Sequence, residues 1–285
     1  MSDASRPPIR LGLIGDNIAK SQSPKLHRLA GRQNRCIVSY DQLVPHDLGR
    51  DFDTLFADCA AGDYRGVNVT YPYKERAAAK VVIDDPLMRA IGAVNTVVFD
   101  AGGPHGFNTD YSGFIAAWHQ IRGNAAPGIS CMIGAGGVGR AVAFGLLALG
   151  LSEIRIADRD QAKAQALCAS LCAARPGLIA TAGQDAQALA KGAEGLINCT
   201  PVGMTGYDGT PLSRAAMRGA GWAFDAVYTP VETQFLQDAE AEGLKIISGY
   251  ELYFGQGVDA WAIFTGLPLD HKALRADLLL PEWTS

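Results

Sequence analysis

Lys74 closes the run Gly66-Val67-Asn68-Val69-Thr70-Tyr71-Pro72-Tyr73-Lys74-Glu75, in which an apolar strand ends in a proline turn with polar side chains gathered after it. Ligands of open α/β sheets bind at such carboxyl edges. An ammonium held there can donate a proton to an oxygen on which charge develops, as when a carbonyl is reduced. A strand, a turn and a lysine equally describe a surface loop. The second candidate brings its own frame: Cys131-Met132-Ile133-Gly134-Ala135-Gly136-Gly137-Val138-Gly139-Arg140 reads as an apolar strand, the spacing G-x-G-x-x-G and the start of an apolar helix. Gly134 then makes the tight turn, Gly136 opens the backbone to a pyrophosphate and Gly139 lets the helix pack on the strand. The phosphates would sit at the positive end of the helix. The competing reading, a glycine turn with packing duties alone, is less common when strand and helix are both present. Asp158 ends the next strand, Ile154-Arg155-Ile156-Ala157, where a ribose-binding acid is expected about 20 residues past the glycines. A carboxylate accepts from both ribose hydroxyls and repels a 2′-phosphate, so NAD is the expected cofactor. NADP stays open, because the guanidinium of Arg155 or Arg159 could face a phosphate.

These groups need elements to hold them. From Ile9 to about residue 108 short apolar runs alternate with helical patterns: a strand over Leu11 to Ile14, a helix from about Pro24, a strand over Ile37 to Tyr40, and a helix from Asp47. A strand over Val67 to Thr70, a helix after Lys74 and a strand over Ala93 to Phe99 follow. Arg122 to Gly128 is a turn-forming stretch that could join two domains. Beyond it, strands are expected at Cys131 to Ile133, Ile154 to Ala157, Leu178 to Thr181, Gly195 to Asn198, Trp222 to Ala226 and Lys245 to Ile247. The expectation is therefore an α/β protein of two domains. Residues 1–112 form an N-terminal α/β substrate domain, 113–249 a Rossmann-type doubly wound parallel sheet that binds the dinucleotide, and 250–285 a helical segment packing back on the first domain.

Composition narrows the class. With 285 residues, 48% apolar and 19% charged, the chain has enough core for two compact units. A net charge of -4 removes the electrostatic footprint for nucleic acid or anionic lipid. The longest apolar stretch, around Ala141 to Leu151, is too short to span a bilayer, and the first eight residues read as a solvated tail without a secretory core. The six cysteines (Cys36, Cys59, Cys131, Cys168, Cys172, Cys199) are scattered and read as reduced, buried thiols of a cytoplasmic protein. The five histidines show no metal-ligand spacing, and Trp118, Trp222, Trp261 and Trp283 read as packing residues.

Separated pieces of the chain, taken in order, resemble the shikimate dehydrogenase family: Ser21-Gln22-Ser23-Pro24, Asn68 to Lys74, Gly92-Ala93-Val94-Asn95-Thr96, Asn108-Thr109-Asp110-Tyr111-Ser112-Gly113, the glycine loop, Asn198-Cys199-Thr200-Pro201-Val202-Gly203-Met204, and Gly249 with Gln256. The resemblance spans nearly the whole chain. It implies that Lys74 and Asp110 form the catalytic dyad, the carboxylate orienting the lysine and favouring its charged form. It implies that Ser21 and Ser23 bind a substrate carboxylate, with Tyr228 adding a third hydroxyl, although Ser23 is also placed to cap a helix before Pro24. Asn68, Thr70, Asn95 and Gln256 match positions that hydrogen-bond ring hydroxyls, and each can alternatively satisfy the backbone of a turn. Gly134, Ala135, Gly136, Gly137, Val138, Gly139, Asp158, Arg159, Thr200, Pro201, Gly203, Met204 and Gly249 would hold the cofactor.

Two departures bear on subtype. Ala157-Asp158-Arg159-Asp160 stands where NADP-using biosynthetic members carry an asparagine-arginine-serine/threonine run, so the chain looks more like the NAD-using quinate/shikimate dehydrogenases. Ser23 stands where some quinate-preferring members have threonine. The expected function is reversible oxidation of shikimate, with quinate as a second substrate and 3-dehydroshikimate as keto partner. The alternatives are the NADP-dependent enzyme of aromatic amino acid biosynthesis, a dehydrogenase for an amino-shikimate analogue, and a metabolite-sensing protein without turnover. The expected partner is a small cyclic hydroxy acid, with neither nucleic acid nor membrane, and a homodimer is left open.

Overall fold

The structure, a computed structural model, describes residues 7–280. Most of the expected N-terminal tail, and Trp283, lie outside the described residues. The chain divides into two compact units: one runs up to Arg89 and adds Ala93–Thr109 and the segment from Gln256 onward, and the other comprises Ala90–Gly92 and Asp110–Gly255.

In the first unit β1 (Ile9–Ile14), α1 (Ser23–Gln33), β2 (Val38–Leu43), α2 (Phe52–Ala61), β3 (Gly66–Val69) and α3 (Lys74–Ala78) follow the expected rhythm. After α4 (Pro86–Ile91) come β4 (Thr96–Asp100) and β5 (Gly103–Phe107). The sheet order is β2-β1-β3-β4-β5, with β1 parallel to β2 and β3, and β4 antiparallel to both its neighbours. Only a hairpin could follow β4, because a parallel crossover needs roughly a dozen residues and the Asp100–Gly103 turn is far shorter. α2 begins later than the sequence pattern suggests, since Asp51 is its N-cap and accepts the Thr54 amide at 2.7 Å. Alternation along the strands sends Ile14, Val67, Val69 and Val97 to one face, against Phe52 and Phe56, and Leu11, Leu13 and Val98 to the other.

The second unit contains α5 (Thr109–Arg122), which starts at the boundary, then β6 (Ile129–Ile133), α6 (Gly137–Ala148), β7 (Glu153–Ala157), α7 (Gln161–Ala174), β8 (Ile179–Gly183), α8 (Ala186–Leu189), β9 (Gly195–Asn198), β10 (Trp222–Asp225), α9 (Gln234–Ala241), β11 (Lys245–Ile247) and the start of α10 (Gly249–Thr265). α11 (His271–Leu279) belongs to the first unit. The six strands are all parallel in the order β11-β10-β9-β6-β7-β8, the doubly wound arrangement. Strand order reverses between β6 and β9, which is where such sheets bind ligands. Two buried indoles pin the turn-forming stretch after α5: Trp118 donates to the Ala125 carbonyl, Trp222 donates to that of Pro127, and the rings meet edge to face at 4.8 Å.

Candidate active site

At one edge of the five-stranded sheet four segments come together: the loop after β1, the turn after β3, the entry to β4 and the exit from β5. Gly15 has no room for a side chain, since a Cβ would strike the Thr70 methyl. The Asp16 N–H donates to the Tyr71 carbonyl at 2.9 Å and the Tyr73 hydroxyl donates to Asp16 Oδ1 at 3.0 Å. These bonds fasten the serine loop to the lysine turn. Ser21 and Ser23 are neighbours, hydroxyl to hydroxyl at 3.2 Å, and the Ser23 N–H donates to Ser21 Oγ at 3.3 Å. The capping alternative for Ser23 is not realised, because Gln22 holds the N-cap position and Ser23 is already in the first turn of α1.

Lys74 opens α3 after the cis Tyr71–Pro72 peptide, its side chain half-buried and its carbonyl accepting the Val94 N–H at 2.9 Å. One residue on, the strand entry carries a buried lattice of neutral polar groups. Tyr40 donates to Asn68 Oδ1 at 2.8 Å, and Asn68 Nδ2 donates to the Asn95 carbonyl and to Thr96 Oγ1 at 3.2 and 3.1 Å. Asn95 Oδ1 accepts the Thr109 N–H at 2.8 Å. Asn68 thus does satisfy loop backbone, as the alternative reading allowed. Thr109 directly precedes Asp110, which is 3% exposed in the first turn of α5, where the helix dipole favours a carboxylate. His27 is packed face to face on Tyr40, ring centroids 5.1 Å apart. Its burial pushes the pKa down to about 3 against the opposing bond to Asn68, so the ring is neutral. Gln256 lies half-buried in α10.

In the second unit the glycine loop is built as its spacing requires. Gly134 has φ +103°, and a Cβ there would sit 2.7 Å from the Cys199 backbone. A Cβ on Gly139 would strike the Gly134 carbonyl oxygen, whereas one on Gly136, the N-cap of α6, would meet nothing within 4 Å. Open space over a helix N-terminus, with Ala135, Gly137 and Val138 completing the turn, suits a dinucleotide pyrophosphate. Asp158 stands at the end of β7, with Oδ2 accepting the Ala135 N–H at 2.7 Å and Oδ1 the Asp160 N–H at 2.8 Å. A carboxylate has about four acceptor positions, so these two bonds do not exhaust it. Arg155 is committed elsewhere, to Glu153 and to the carbonyls of Leu189 and Lys191, while Arg159 is exposed.

The loop after β9 rests on three residues that the sequence reading did not assign. Asn198 Oδ1 accepts the N–H and hydroxyl of Thr200 at 3.0 and 2.7 Å, and Asn198 Nδ2 donates to the Val202 carbonyl and to Asp225 Oδ1 at 3.0 and 2.9 Å. Asp225 also receives the Val227 N–H and the Thr233 hydroxyl, the latter at 2.6 Å. Burial raises its pKa to about 6, against the pull of these donors. Thr200, Pro201, Gly203 and Met204 are carried on this loop, folded by a Met204 N–H to Pro201 carbonyl bond of 3.0 Å. Tyr228 stacks on Tyr253 at 4.7 Å, and Gly249 is a glycine because a Cβ would strike the Val227 carbonyl. Among the described residues no group of three or more His, Cys, Asp or Glu could hold a metal ion, and no helix is long and apolar enough to cross a membrane.

Residues 13–97 match the family described as the shikimate dehydrogenase substrate binding domain. A quinate/shikimate dehydrogenase (NAD(+)) of Corynebacterium efficiens is 36% identical over 280 residues, covering 95% of this chain and 98% of that one. The quinate dehydrogenase of Corynebacterium glutamicum, solved in complex with NAD, superposes with a TM-score of 0.86 at 32% identity over 96% of this chain and 99% of its own. The shikimate 5-dehydrogenase of Thermus thermophilus, solved with NADP(H) and shikimate, gives 0.80 at 33% identity over 95% and 98%. The chain belongs to the shikimate dehydrogenase family of oxidoreductases.

Proposed function

We propose that the protein catalyses reversible hydride transfer between shikimate and NAD, with quinate as a second substrate. The observation that carries this reading is the sheet edge on which Lys74, the Ser21–Ser23 hydroxyl pair and the buried amides of Asn68 and Asn95 stand on adjoining segments. Such a set suits a carboxylate on a polyhydroxylated ring: hydroxyl donors for the anion, amides for the ring oxygens, and an ammonium for the oxygen that changes charge. A bound NAD supplies the hydride acceptor.

In the reducing direction Lys74 Nζ donates a proton to the carbonyl oxygen, and in the oxidising direction it takes the proton from the alcohol. Asp110 orients that amine, and Thr70, Tyr228 and Gln256 complete the substrate contacts. The glycine loop, Asp158, Arg159, the residues Thr200, Pro201, Gly203 and Met204, and Gly249 hold the dinucleotide, within the assignment of the first unit to substrate and the second to cofactor. NAD is favoured over NADP by the Asp158 carboxylate, and by the commitment of Arg155 to Glu153 and two carbonyls. A cytoplasmic location fits six free cysteines, five of them buried.

The test is a grid of initial rates for shikimate and quinate with NAD and with NADP. Faster turnover with NAD supports the reading, and the quinate column ranks the two acids. Preference for NADP returns the chain to the biosynthetic type, and silence in all four assays rejects both.

A further inference from the structure

Asp225 ends β10 fully buried, and the groups that bond it are neutral. Asn198 Nδ2 donates to Oδ1 at 2.9 Å from the end of β9, and the Val227 N–H donates to the same oxygen at 2.9 Å from the loop after β10. The Thr233 hydroxyl donates to Oδ2 at 2.6 Å from the N-cap of α9. Burying a carboxylate among neutral donors opposes folding. An asparagine would avoid the charge but could not make the same three bonds, because only one of its two polar atoms accepts. With its oxygen toward Asn198 and Val227, its NH2 would face the Thr233 hydroxyl and displace that hydrogen, while Thr233 Oγ1 already accepts the Leu236 N–H at 3.3 Å. Turned over, it would set its NH2 against two donors. A carboxylate accepts from all three segments at once.

Those segments carry the loop after β9 from two sides. On one side Asn198 spends both hydrogens of Nδ2 on Asp225 and the Val202 carbonyl, which turns its oxygen to the N–H and hydroxyl of Thr200. Thr200 Oγ1 in turn accepts the Val202 N–H at 3.2 Å. On the other side the Thr229 carbonyl accepts the N–H and hydroxyl of Thr205 at 2.9 and 3.2 Å, and a Cβ on Gly203 would lie 3.6 Å from Thr233 Cβ. Asp225 thus joins residues 200–205 and the start of α9 into one piece. That piece borders the glycine turn, since a Cβ on Gly134 would sit 2.7 Å from the Cys199 backbone, and it lies across β6 from Asp158 at the end of β7.

We propose that Asp225, Asn198 and Thr233 are positioning residues for the nicotinamide half of the dinucleotide, holding the 200–204 loop against it, while Asp158 and the glycine turn take the adenosine half and the pyrophosphate. The proposal rests on the reading of this unit as the cofactor unit and deepens it. A dinucleotide laid across the point where strand order reverses has its two halves on opposite sides of that point, so the half remote from Asp158 lies over β9. All three side chains are buried, at 1% exposure or less, so they act through the backbone of the loop rather than by touching the dinucleotide.

The experiment is titration calorimetry of the whole protein with NADH and with ADP-ribose, which keeps the adenosine, the pyrophosphate and both riboses but lacks the nicotinamide. Asp225→Asn and Thr233→Val should each weaken NADH about tenfold and leave ADP-ribose within about threefold of the wild type. Thr233→Ser keeps the hydroxyl and should restore the wild-type ratio. A merely structural role would lower the melting temperature and weaken both ligands equally or neither, and either result overturns the proposal, as does a ratio that Thr233→Ser fails to restore. The Thr233 pair carries the test alone if Asp225→Asn does not fold. If the grid of rates selects NADP, the ligands become NADPH and 2′-phospho-ADP-ribose, so the proposal is tested with either cofactor. Binding is read apart from turnover: the expected ratios without oxidation of shikimate or quinate overturn only the proposed function. Turnover with unmoved ratios overturns only the positioning role, and no binding of any of these ligands overturns both.

Discussion

At the edge of the five-stranded sheet the polar atoms are neutral side chains bonded to one another, Asn68, Thr96, Asn95 and Thr109. At the edge of the six-stranded sheet they are the backbone amides of a glycine turn, answered by the Asp158 carboxylate, with the buried Asp225 on β10 beyond β6 and β9. The first arrangement is a set of directional bonds whose donors and acceptors are fixed by backbone partners, which would suit the proposed ring acid. The second presents a helix N-terminus and one acid, features of dinucleotide sites in general, and on the proposed reading its discrimination would be concentrated at that single carboxylate. Recognition by side chains demands a rigid scaffold, whereas recognition by backbone demands the absence of side chains.

The largest effect should separate chemistry from cofactor binding. Lys74→Ala is expected to lower kcat for shikimate oxidation by roughly 10²- to 10⁴-fold, the usual contribution of a positioned proton-transfer group. Titration of NAD, followed by quenching of tryptophan fluorescence, should give the wild-type Kd. A loss of NAD affinity of similar size would mean that the two edges do not divide the work in this way.

Next come two glycines of one loop that differ in what surrounds them. Gly136→Ala adds a methyl group where nothing lies within 4 Å, so the variant should melt with the wild type and bind NAD about 10- to 100-fold more weakly, the methyl group occupying the phosphate's approach. Gly139→Ala drives a Cβ into the Gly134 carbonyl and should lower the melting temperature itself. Equal melting temperatures for both, with unchanged affinity, would reduce the glycine loop to a packing device.

Acid should act on the two units with opposite sign. His27 is held neutral, its pKa down from 6.5 to about 3, so below about pH 6.5 the unfolded chain takes up a proton that the folded one refuses. Its contribution is fully present above that pH and is lost as pH falls towards 3. Asp225, raised from 3.8 to about 6, takes its proton first in the folded chain, so between about pH 6 and 4 its contribution rises as pH falls, by at most about 3 kcal/mol. Unfolding at pH 4.5 and 7.5 should show that His27→Gln removes an acid loss and Asp225→Asn removes an acid gain. Matching slopes in wild type and both variants would contradict these burial effects.

The six parallel strands were legible because most are short apolar runs, or like β7 alternate apolar with polar residues, between helical stretches. β5 was not, since Gly103-Pro104-His105-Gly106-Phe107 carries two glycines and a proline, a composition tolerated at a sheet edge. The glycine loop could be read because its chemistry is a local spacing. The lattice around Asn68 could not, because β3 must first pair with β4 to bring Thr96 opposite it and β5 must deliver Thr109 beside Asn95. Asp225 ends a strand just as an exposed acid would; only burial and its Asn198 and Thr233 partners set it apart. Arg155 looks available to a phosphate in the sequence, and only the fold brings the Leu189 and Lys191 carbonyls to it.

The smallest expected effect concerns Asp158, the proposed reader of the ribose at the second edge. Its carboxylate spends one acceptor position on the Ala135 amide and another on that of Asp160, and the proposed reading gives the remaining two to the ribose hydroxyls. In Asp158→Asn the oxygen of the amide can keep the Ala135 bond while the charge that repels a 2′-phosphate is gone, leaving the exposed Arg159 next in the chain to meet it. The ratio of kcat/KM for NAD to that for NADP should therefore fall by about fivefold, one charge interaction near the surface being worth about 1 kcal/mol. The change should come mainly as a rise in NADP efficiency, with shikimate KM unchanged. A ratio that does not move would place cofactor choice on other residues of the loop, and would weaken the contrast between an edge that reads with many neutral side chains and one that reads with a single charge.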